Sequence, residues 1–224
     1  MENKTRAKAI RFKEPVSGFS HLVGAFLSLT ALTVLVAMSV YRSTPWHTVS
    51  FSVYGTSMTL LYLASALYHL LPLNEKGTRL LKRFDHVMIF LMIAGTYTPF
   101  CLVPLRGAWG WSIFGVVWGL AAAGVFFKIL WITAPRWFST IIYLLMGWVC
   151  IVAIYPIVQT VPLGGVIWLA SGGMLYSVGA VIYGMKKPNP WPGIFGFHEI
   201  WHFFVLGGSF CHFMAILLYI LPMA

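Results

Sequence analysis

The sequence predicts an all-α integral membrane protein, a seven-transmembrane helix bundle, from its apolarity, its seven apolar runs and its uneven charge. Hydrophobic residues make up 59% of the 224 residues and charged residues 9%, and the mean hydropathy is +0.83. A water-soluble domain of this size needs far more polar surface than such a composition supplies. The bilayer must therefore act as solvent for most of the chain.

Seven apolar runs are each long enough to cross a bilayer, which takes roughly 20 apolar residues in a helix. Proline, glycine and charged residues separate them, and no low-complexity tract interrupts the chain. We therefore expect a basic cytoplasmic tail over residues 1–15 and a single seven-transmembrane domain over residues 16–224. The runs lie at about 16–40, 48–71, 84–105, 110–131, 137–157, 164–185 and 198–222.

The basic residues are distributed unevenly between the two ends of this predicted bundle. Thirteen of the 15 Lys and Arg residues lie in the tail or after the second, fourth and sixth runs, including a loop predicted at Pro72–Arg83. Only Arg42 and Arg106 lie at the other end. Basic loops remain in the cytoplasm, so the amino terminus is predicted inside and the carboxyl terminus outside. This ordinary topogenic signal, without an aromatic-basic groove, argues against nucleic acid as a partner.

Ionisable residues inside apolar runs are candidates for function, because inserting one into a bilayer costs about 2.5–3.5 kcal/mol. His69 ends the second run and Asp85 begins the third. His198 and His202 begin the seventh run, so all four residues are predicted at the cytoplasmic depth. His47 is assigned to an outer loop as an interfacial hydrogen-bonding residue. The roles of four further residues stay open: His21, His86, Glu199 and His212.

Spacing and depth together indicate a metal site. His198 and His202 are four residues apart, so they share one helix face and can bind one ion from adjacent turns. With His69 they leave the fourth tetrahedral position of zinc open for water, as in catalytic zinc sites, where the pKa of that water falls to about 7. Asp85 is expected to hold or deprotonate this water, and Ser65, four residues before His69, to orient it or a substrate oxygen.

Residues 198–202 also match HExxH, the signature of zinc metalloproteases. Such proteases need a third ligand further along the chain. No Asp or Glu follows Glu199, and Val205 occupies the glycine position of the longer histidine-containing signature. The sequence therefore does not favour a protease, although Glu199 could still assist as a base or orient a ligand.

Four motifs occur in order along most of the chain. They are Glu14-Pro-Val-Ser-Gly-Phe-Ser-His21, Ser65-Ala-Leu-Tyr-His69, Phe84-Asp85-His86 with Ala94-Gly-Thr-Tyr-Thr-Pro-Phe100, and His198-Glu-Ile-Trp-His202 with Leu206-Gly-Gly-Ser-Phe-Cys-His212. This set resembles the hemolysin III branch of the progestin and adiponectin receptor family. One departure is Ser17, which stands where the first motif, ExxNxxSH, usually has Asn.

The resemblance implies seven helices with the amino terminus inside and zinc held by His69, His198 and His202. It also implies that Asp85 and Ser65 lie around the zinc-bound water. Because the wider superfamily includes alkaline ceramidases, a metal-dependent hydrolase of a lipid amide or ester, acting in membrane lipid homeostasis, is the first expectation. Its partners would be membrane lipids, with a lipid substrate entering laterally from the bilayer.

Two other functions remain open at this point. One is a non-enzymatic sensor or regulator of membrane lipid or energy homeostasis, in which zinc is structural. The other is the hemolysin or cytolysin that the family label suggests, although the runs lack the charged stripes of a conducting pore. The resemblance implies a multi-pass protein of the bacterial cytoplasmic membrane, while substrate identity and oligomeric state stay undetermined by the sequence.

Overall fold

The computed structural model describes residues 12–42 and 44–223, which form a helical bundle without a β-strand among them. Residues 1–11, most of the predicted basic tail, lie outside the described residues. A 3-10 segment spans Trp148–Ala153, and a π-helical turn spans Ile216–Ile220. The α-helices are α1 (Pro15–Arg42), α2 (Pro45–Leu70), α3 (Glu75–Leu102), α4 (Ala108–Leu130), α5 (Arg136–Gly147), α6 (Ile154–Thr160), α7 (Leu163–Met185) and α8 (Phe197–Ala215).

The helical segments confirm an all-α, multi-pass integral membrane protein. Apolar side chains cover their outer faces, as at Phe26, Leu145 and Val152, which are 66–67% exposed in the protein alone and would contact lipid. Within the described part of the chain, six segments are long and apolar enough to cross a membrane: Pro15–Tyr41, Glu75–Leu102, Ala108–Leu130, Arg136–Thr160, Leu163–Met185 and Phe197–Ile220.

No 18-residue stretch of α2 is as apolar as the most apolar stretch of any of these six segments, although the 26 residues of α2 extend about 39 Å at 1.5 Å per residue. It packs between α1 and α3, and 14 of its residues are buried. Its hydroxyl-bearing side chains, such as Ser50, Ser57 and Tyr62, therefore face protein rather than lipid. The physical reason for its lower apolarity is this central position in the bundle.

Helix α3 begins well before the predicted apolar run. The side-chain oxygen of Asn74 accepts a hydrogen bond of 2.9 Å from the backbone N–H of Gly77 and caps a helix that starts at Glu75. The loop predicted at Pro72–Arg83 is therefore mostly wrong, because basic helical turns outside the apolar core carry no apolar signal. Asp85 consequently lies about three turns inside α3 rather than at its start.

The expected outer-loop position of His47 is also wrong. Helix α2 starts at Pro45, a residue type suited to a first turn because it needs no backbone N–H. His47 lies in that turn and is 1% exposed. Its Nδ1 atom is 3.0 Å from the Thr44 hydroxyl, so the expected hydrogen-bonding role is confirmed.

Candidate metal centre

Helices α1, α3, α5 and α8 begin at one end of the bundle, here called the proximal end, where α2 also ends. The backbone N–H of Glu14 donates to the carbonyl oxygen of His69 at 2.9 Å and joins the start of α1 to the end of α2. His198 and His202 lie in the first two turns of α8. The helix ends thus bring together residues that are far apart in sequence.

The structure brings His69, His198 and His202 together at this end, and we refer to them as the three-histidine group. One ligand nitrogen from each lies within 4.8 Å of the other two. The Nε2 atoms of His69 and His198 are 3.4 Å apart. Two nitrogen ligands about 2.0–2.1 Å from a tetrahedral zinc would be separated by about 3.3–3.4 Å. The residues therefore fit a metal ion of this kind.

In two of these imidazoles, the second ring nitrogen, Nδ1, is hydrogen-bonded to an acceptor. Nδ1 of His69 is hydrogen-bonded to a carboxylate oxygen of Glu14. Nδ1 of His202 lies 3.2 Å from the backbone carbonyl oxygen of Ser17. Because neither acceptor can donate, we assign the proton to Nδ1 in both rings, which leaves each Nε2 lone pair available. Carboxylate and carbonyl partners of this kind orient metal-binding histidines.

Glu14 immediately precedes α1 and supplies the charged partner of His69. The hydrogen bond with His69 is the main reason why the pKa of this carboxyl group falls from 4.5 to about 2, with partial burial opposing the shift. Lys13 assists, since its Nζ atom lies 3.7 Å from the carboxylate. Glu14 is therefore ionised at neutral pH and acts as an acceptor. Its pairing with His69 was not predicted from the sequence.

Glu199 is engaged by the protein at both oxygens. Its Oε1 atom accepts a 2.8 Å hydrogen bond from the Ser17 hydroxyl. Its Oε2 atom accepts a 2.8 Å hydrogen bond from the backbone N–H of Gly196 and so closes the first turn of α8. Glu199 therefore joins α8 to α1, whereas the glutamate of a zinc metalloprotease activates water. Ser17, the departure from the family motif, is the residue that pairs with it.

His21 packs against the three-histidine group without belonging to it. It is 4% exposed, and its ring stacks on His202 with a centroid separation of 3.7 Å and an interplanar angle of 19°. The His21 ring also makes an edge contact with the Tyr62 ring of α2, with the two ring centroids 4.9 Å apart. His21 therefore restricts the orientation of the His202 imidazole.

The two predicted catalytic residues lie on the wall of the same cavity as the three-histidine group. Ser65 is buried one turn before His69 on α2. The Asp85 side chain is 15% exposed and close enough to His198 to interact with it electrostatically. Its Oδ2 atom lies 3.8 Å from Nδ1 of His86, which donates to the Lys82 carbonyl oxygen at 2.6 Å. Neither Asp85 nor Ser65 is within the group that could hold the ion.

The cavity has a volume of about 1050 Å³ and extends from the three-histidine group along the bundle core. This is at the upper limit of small-molecule sites, which measure roughly 300–1,000 Å³. Its proximal end is polar, and the remainder is mostly apolar. Such a shape suits an amphiphile with a long apolar chain. Apolar side chains that line its deeper part include Ile89, Met92, Phe100, Leu105 and Ile113.

A second polar cluster lies deeper on α8, around Ser209, and is called the Ser209 cluster. The Tyr62 hydroxyl donates to Ser209 Oγ at 2.6 Å, and the Tyr176 hydroxyl lies 2.9 Å from the same atom. The buried His212 imidazole packs against the Tyr176 ring at 5.4 Å. These residues join α2, α7 and α8 in the middle of the bundle.

Comparisons with known proteins agree with the motifs. A family model described as Haemolysin-III related matches residues 10–213. The chain is 42% identical over 223 residues to Hemolysin-3 of Bacillus cereus, covering 100% of this chain and 99% of that protein. It is 41% identical over 207 residues to the Hemolysin-3 homolog of Bacillus subtilis (strain 168), covering 92% and 94%.

A more distant relative is the human Monocyte to macrophage differentiation factor. The identity is 25% over 223 residues, which cover 96% of this chain and 87% of that protein. The resemblance based on four motifs is thereby confirmed along nearly the whole chain. The protein belongs to the haemolysin-III-related family, within the hemolysin III branch of the progestin and adiponectin receptor family.

Proposed function

We propose that this protein is a zinc-dependent hydrolase of a lipid amide or ester that acts in membrane lipid homeostasis. The observation that carries the proposal is a three-histidine group that opens into a large, mostly apolar cavity. Three imidazoles with one open position are typical of catalytic zinc sites. An acyl chain in the apolar part would bring its polar linkage to this group.

In this proposal His69, His198 and His202 hold the ion, with Glu14 and the Ser17 carbonyl oxygen orienting the rings. Bound zinc would supply a Lewis acid and lower the pKa of a water molecule. The Asp85 carboxylate accepts the proton from the water that attacks the acyl carbon, and it returns this proton to the leaving amine or alcohol as the acyl C–N or C–O bond breaks. The Ser65 hydroxyl donates a hydrogen bond to the substrate carbonyl oxygen.

Lateral entry of a lipid is supported by the wall formed at the junction of α5 and α6. The backbone N–H of Cys150 donates to the Tyr97 hydroxyl at 2.9 Å, which in turn donates to the Gly147 carbonyl oxygen at 2.5 Å, where the helix changes to 3-10 geometry. Trp148 and Ile151 line the cavity and are also 41% and 55% exposed. The cavity wall and the lipid-facing surface therefore share side chains here.

The topology that accompanies this proposal has seven spans, with α2 as the seventh, in one domain over residues 16–224 after a basic tail. The length of α2 and its place between two spans support it, and the basic residues favour a cytoplasmic amino terminus and an outside carboxyl terminus. Cysteines introduced at Lys76 and Ala108, both exposed, should react with impermeant reagents from opposite faces of sealed vesicles. Labelling of both from one face would contradict this topology.

A non-enzymatic sensor or regulator with a structural zinc is the second candidate. It is supported by the hydrogen bonds that join α1, α2 and α8 around the three-histidine group, from Glu14 to His69 and from Ser17 to Glu199. An ion between His69 and α8 would complete this connection and couple its own binding to helix packing.

Substitution of Asp85 distinguishes the two candidates. For a hydrolase, Asp85→Ala should retain about one zinc per chain while turnover falls about 10²–10⁴-fold, because the general base is lost. The measurements are metal analysis of the purified protein and mass spectrometry of fatty acid released from a mixed lipid panel. Glu75→Ala, an exposed acid on the same helix, is the matched control and should change neither.

Identical lipid profiles for wild-type protein and Asp85→Ala across the panel would contradict the hydrolase. In that case, a functional loss confined to substitutions of His69, His198 or His202 would favour the structural zinc. Purified wild-type protein that contains no stoichiometric metal, and takes up none when zinc is added, would contradict both candidates.

A further inference from the structure

The proximal end of the cavity contains a buried lysine with no acidic partner among the described residues. Lys128, near the end of α4, is 2% exposed. Its Nζ atom donates to the Ser139 hydroxyl at 2.6 Å, and this neutral group is its hydrogen-bond partner. A buried ammonium group is costly unless it is paired with a negative charge. Because Lys128 lines the cavity, a ligand in the cavity can supply that charge.

Two further basic side chains line the same end of the cavity. Lys82 of α3 is close enough to Lys128 for the two positive charges to repel. Arg136 lies one turn before Ser139 on α5, and its guanidinium carbon is 5.1 Å from the centre of the Tyr183 ring. Three different helices thus contribute a positive charge, and none of the three has a salt bridge among the described residues.

The acids that line the cavity form no ion pair with these three basic residues in the described part of the chain. Glu14 is occupied by His69 and Lys13, and Glu199 by Ser17 and a backbone N–H. Asp85 is the remaining acid, and it faces His86. Lys13 and Glu14 balance each other, and setting the carboxylates of Asp85 and Glu199 against Lys82, Lys128 and Arg136 leaves a surplus of one positive charge.

A phosphate monoester carries a charge of about −1.5 to −2 at neutral pH and three strong acceptor oxygens, one for each of the three basic groups, whereas a carboxylate has two oxygens. The basic residues lie near helix ends, the depth at which lipid headgroups lie. The apolar cavity continues from them into the bundle. We propose that Lys128, with Lys82 and Arg136, binds the phosphate of an anionic lipid whose acyl chain occupies this cavity.

This inference concerns binding and does not depend on hydrolysis. The probe is oleoyl lysophosphatidic acid, which joins one acyl chain to a phosphate monoester. Mono-oleoylglycerol has the same chain without the phosphate and serves as the neutral probe. Binding of each to the purified full-length protein in maltoside detergent is measured by native mass spectrometry.

Wild-type protein should bind the phosphate-bearing probe at least about tenfold more tightly than the neutral one, because a hydrogen bond to a charged group contributes this much. Lys128→Met keeps the apolar stem and removes the charge. It should weaken binding of the phosphate-bearing probe about tenfold and leave the neutral probe unchanged. Lys76→Met, an exposed residue of α3 outside the cavity, is the matched control and should preserve the preference.

Equal affinity of wild-type protein for the two probes would overturn the proposal. So would an equal loss in Lys76→Met, which would indicate attraction to surface charge. If Lys128→Met fails to fold, Lys82→Met and Arg136→Gln take its place, and a preference undiminished in both would overturn the proposal.

Two further arms identify what the phosphate binds and where it comes from. The preference should persist in His198→Ala, and its loss there but not in Lys128→Met would assign the phosphate to the metal and overturn the lysine subsite. Millimolar inorganic phosphate should fail to displace the probe. Displacement would show that free phosphate occupies the subsite and would overturn the lipid as its ligand.

Discussion

Helix α8 contributes to two polar clusters that are organised differently. Near its start, the three-histidine group has ring nitrogens that face one another, while Nδ1 of His69 and of His202 is held by an acceptor. Farther along, the hydroxyls of the Ser209 cluster bond directly to each other. Both clusters join α2 to α8.

The difference lies in which atoms are left to bind something else. In the Ser209 cluster, Tyr62 and Tyr176 both use the Ser209 hydroxyl, so these three hydroxyls bond to one another, while Nδ1 of His212 has no hydrogen-bond partner among the described residues. In the three-histidine group, the Nε2 lone pairs of His69 and His202 are available in the tautomers assigned, and Nε2 of His198 lies 3.4 Å from that of His69. Hydroxyls that bond to one another, as in the Ser209 cluster, hold helices together. Acceptor nitrogens that face one another, as in the three-histidine group, are suited to bind a cation.

The largest expected effect is the loss of metal on removing a ligand. His202→Ala should reduce bound zinc from about one ion per chain to less than a tenth, because two imidazoles are too few for a stable site. His86 lines the same cavity but does not belong to the three-histidine group, so His86→Ala is the control and should retain the metal. Metal analysis of folded protein, checked by helical circular dichroism, tests this. Full zinc in His202→Ala would remove the distinction between the clusters.

The carboxylate behind His69 should have the next largest effect. Glu14→Gln keeps the size of the side chain but weakens the charge-assisted bond to Nδ1, and zinc affinity should fall about 10–100-fold. Glu75→Gln serves as the control for loss of a negative charge at the proximal end. Competition with a chelator of known zinc affinity provides the measurement. Unchanged affinity would mean that Glu14 does not orient His69 for metal binding.

The Ser209 cluster should affect stability without affecting metal. Tyr62→Phe removes the hydroxyl that donates to Ser209, and hydrogen bonds between helices in membranes contribute about 0.6 kcal/mol on average. The free energy of unfolding, measured by detergent-induced denaturation, should fall by about that amount while zinc content stays constant. Tyr41→Phe, at an 87% exposed position, should change neither. A loss of zinc in Tyr62→Phe would show that the clusters are not independent.

The smallest effect is expected at the glutamate of the HExxH pattern. Glu199→Gln keeps an amide oxygen that accepts from the Gly196 backbone N–H and an amide NH2 that can donate to the Ser17 hydroxyl, so zinc content and turnover should each change less than about threefold. Loss of a general base would instead lower turnover about 10²–10⁴-fold. A decrease of that size with zinc retained would identify Glu199 as a base and favour protease-like chemistry at this centre.

Much of the fold could be predicted from the sequence, because a helix that crosses lipid needs a long apolar run, whereas the connections outside the membrane are polar. The predicted runs correspond to helical segments within a few residues, except at α3. There, capping by Asn74 and basic turns extend the helix toward the water, and an apolar run does not detect them. His47 was misplaced for a related reason, since a polar first turn at Pro45 resembles a loop.

The convergence of His69, His198 and His202 could be predicted because helical spacing and predicted depth place them at one end of the bundle. Their supporting partners could not. Glu14 is 55 residues from His69, and Ser17 is 182 residues from Glu199. No local pattern indicates such pairings, because they depend on which face of α1 packs against α2 and α8.

The polarity of α2 has a consequence for how the chain enters the membrane. In the proposed topology, this helix is the span least able to partition into lipid by itself, since its serine, threonine and tyrosine side chains would meet hydrocarbon. Helix α1 precedes it by a two-residue connection and covers part of its polar face. We therefore expect α1 and α2 to insert during synthesis as one helical hairpin, which makes α1 an intramolecular chaperone for the helix that carries His69.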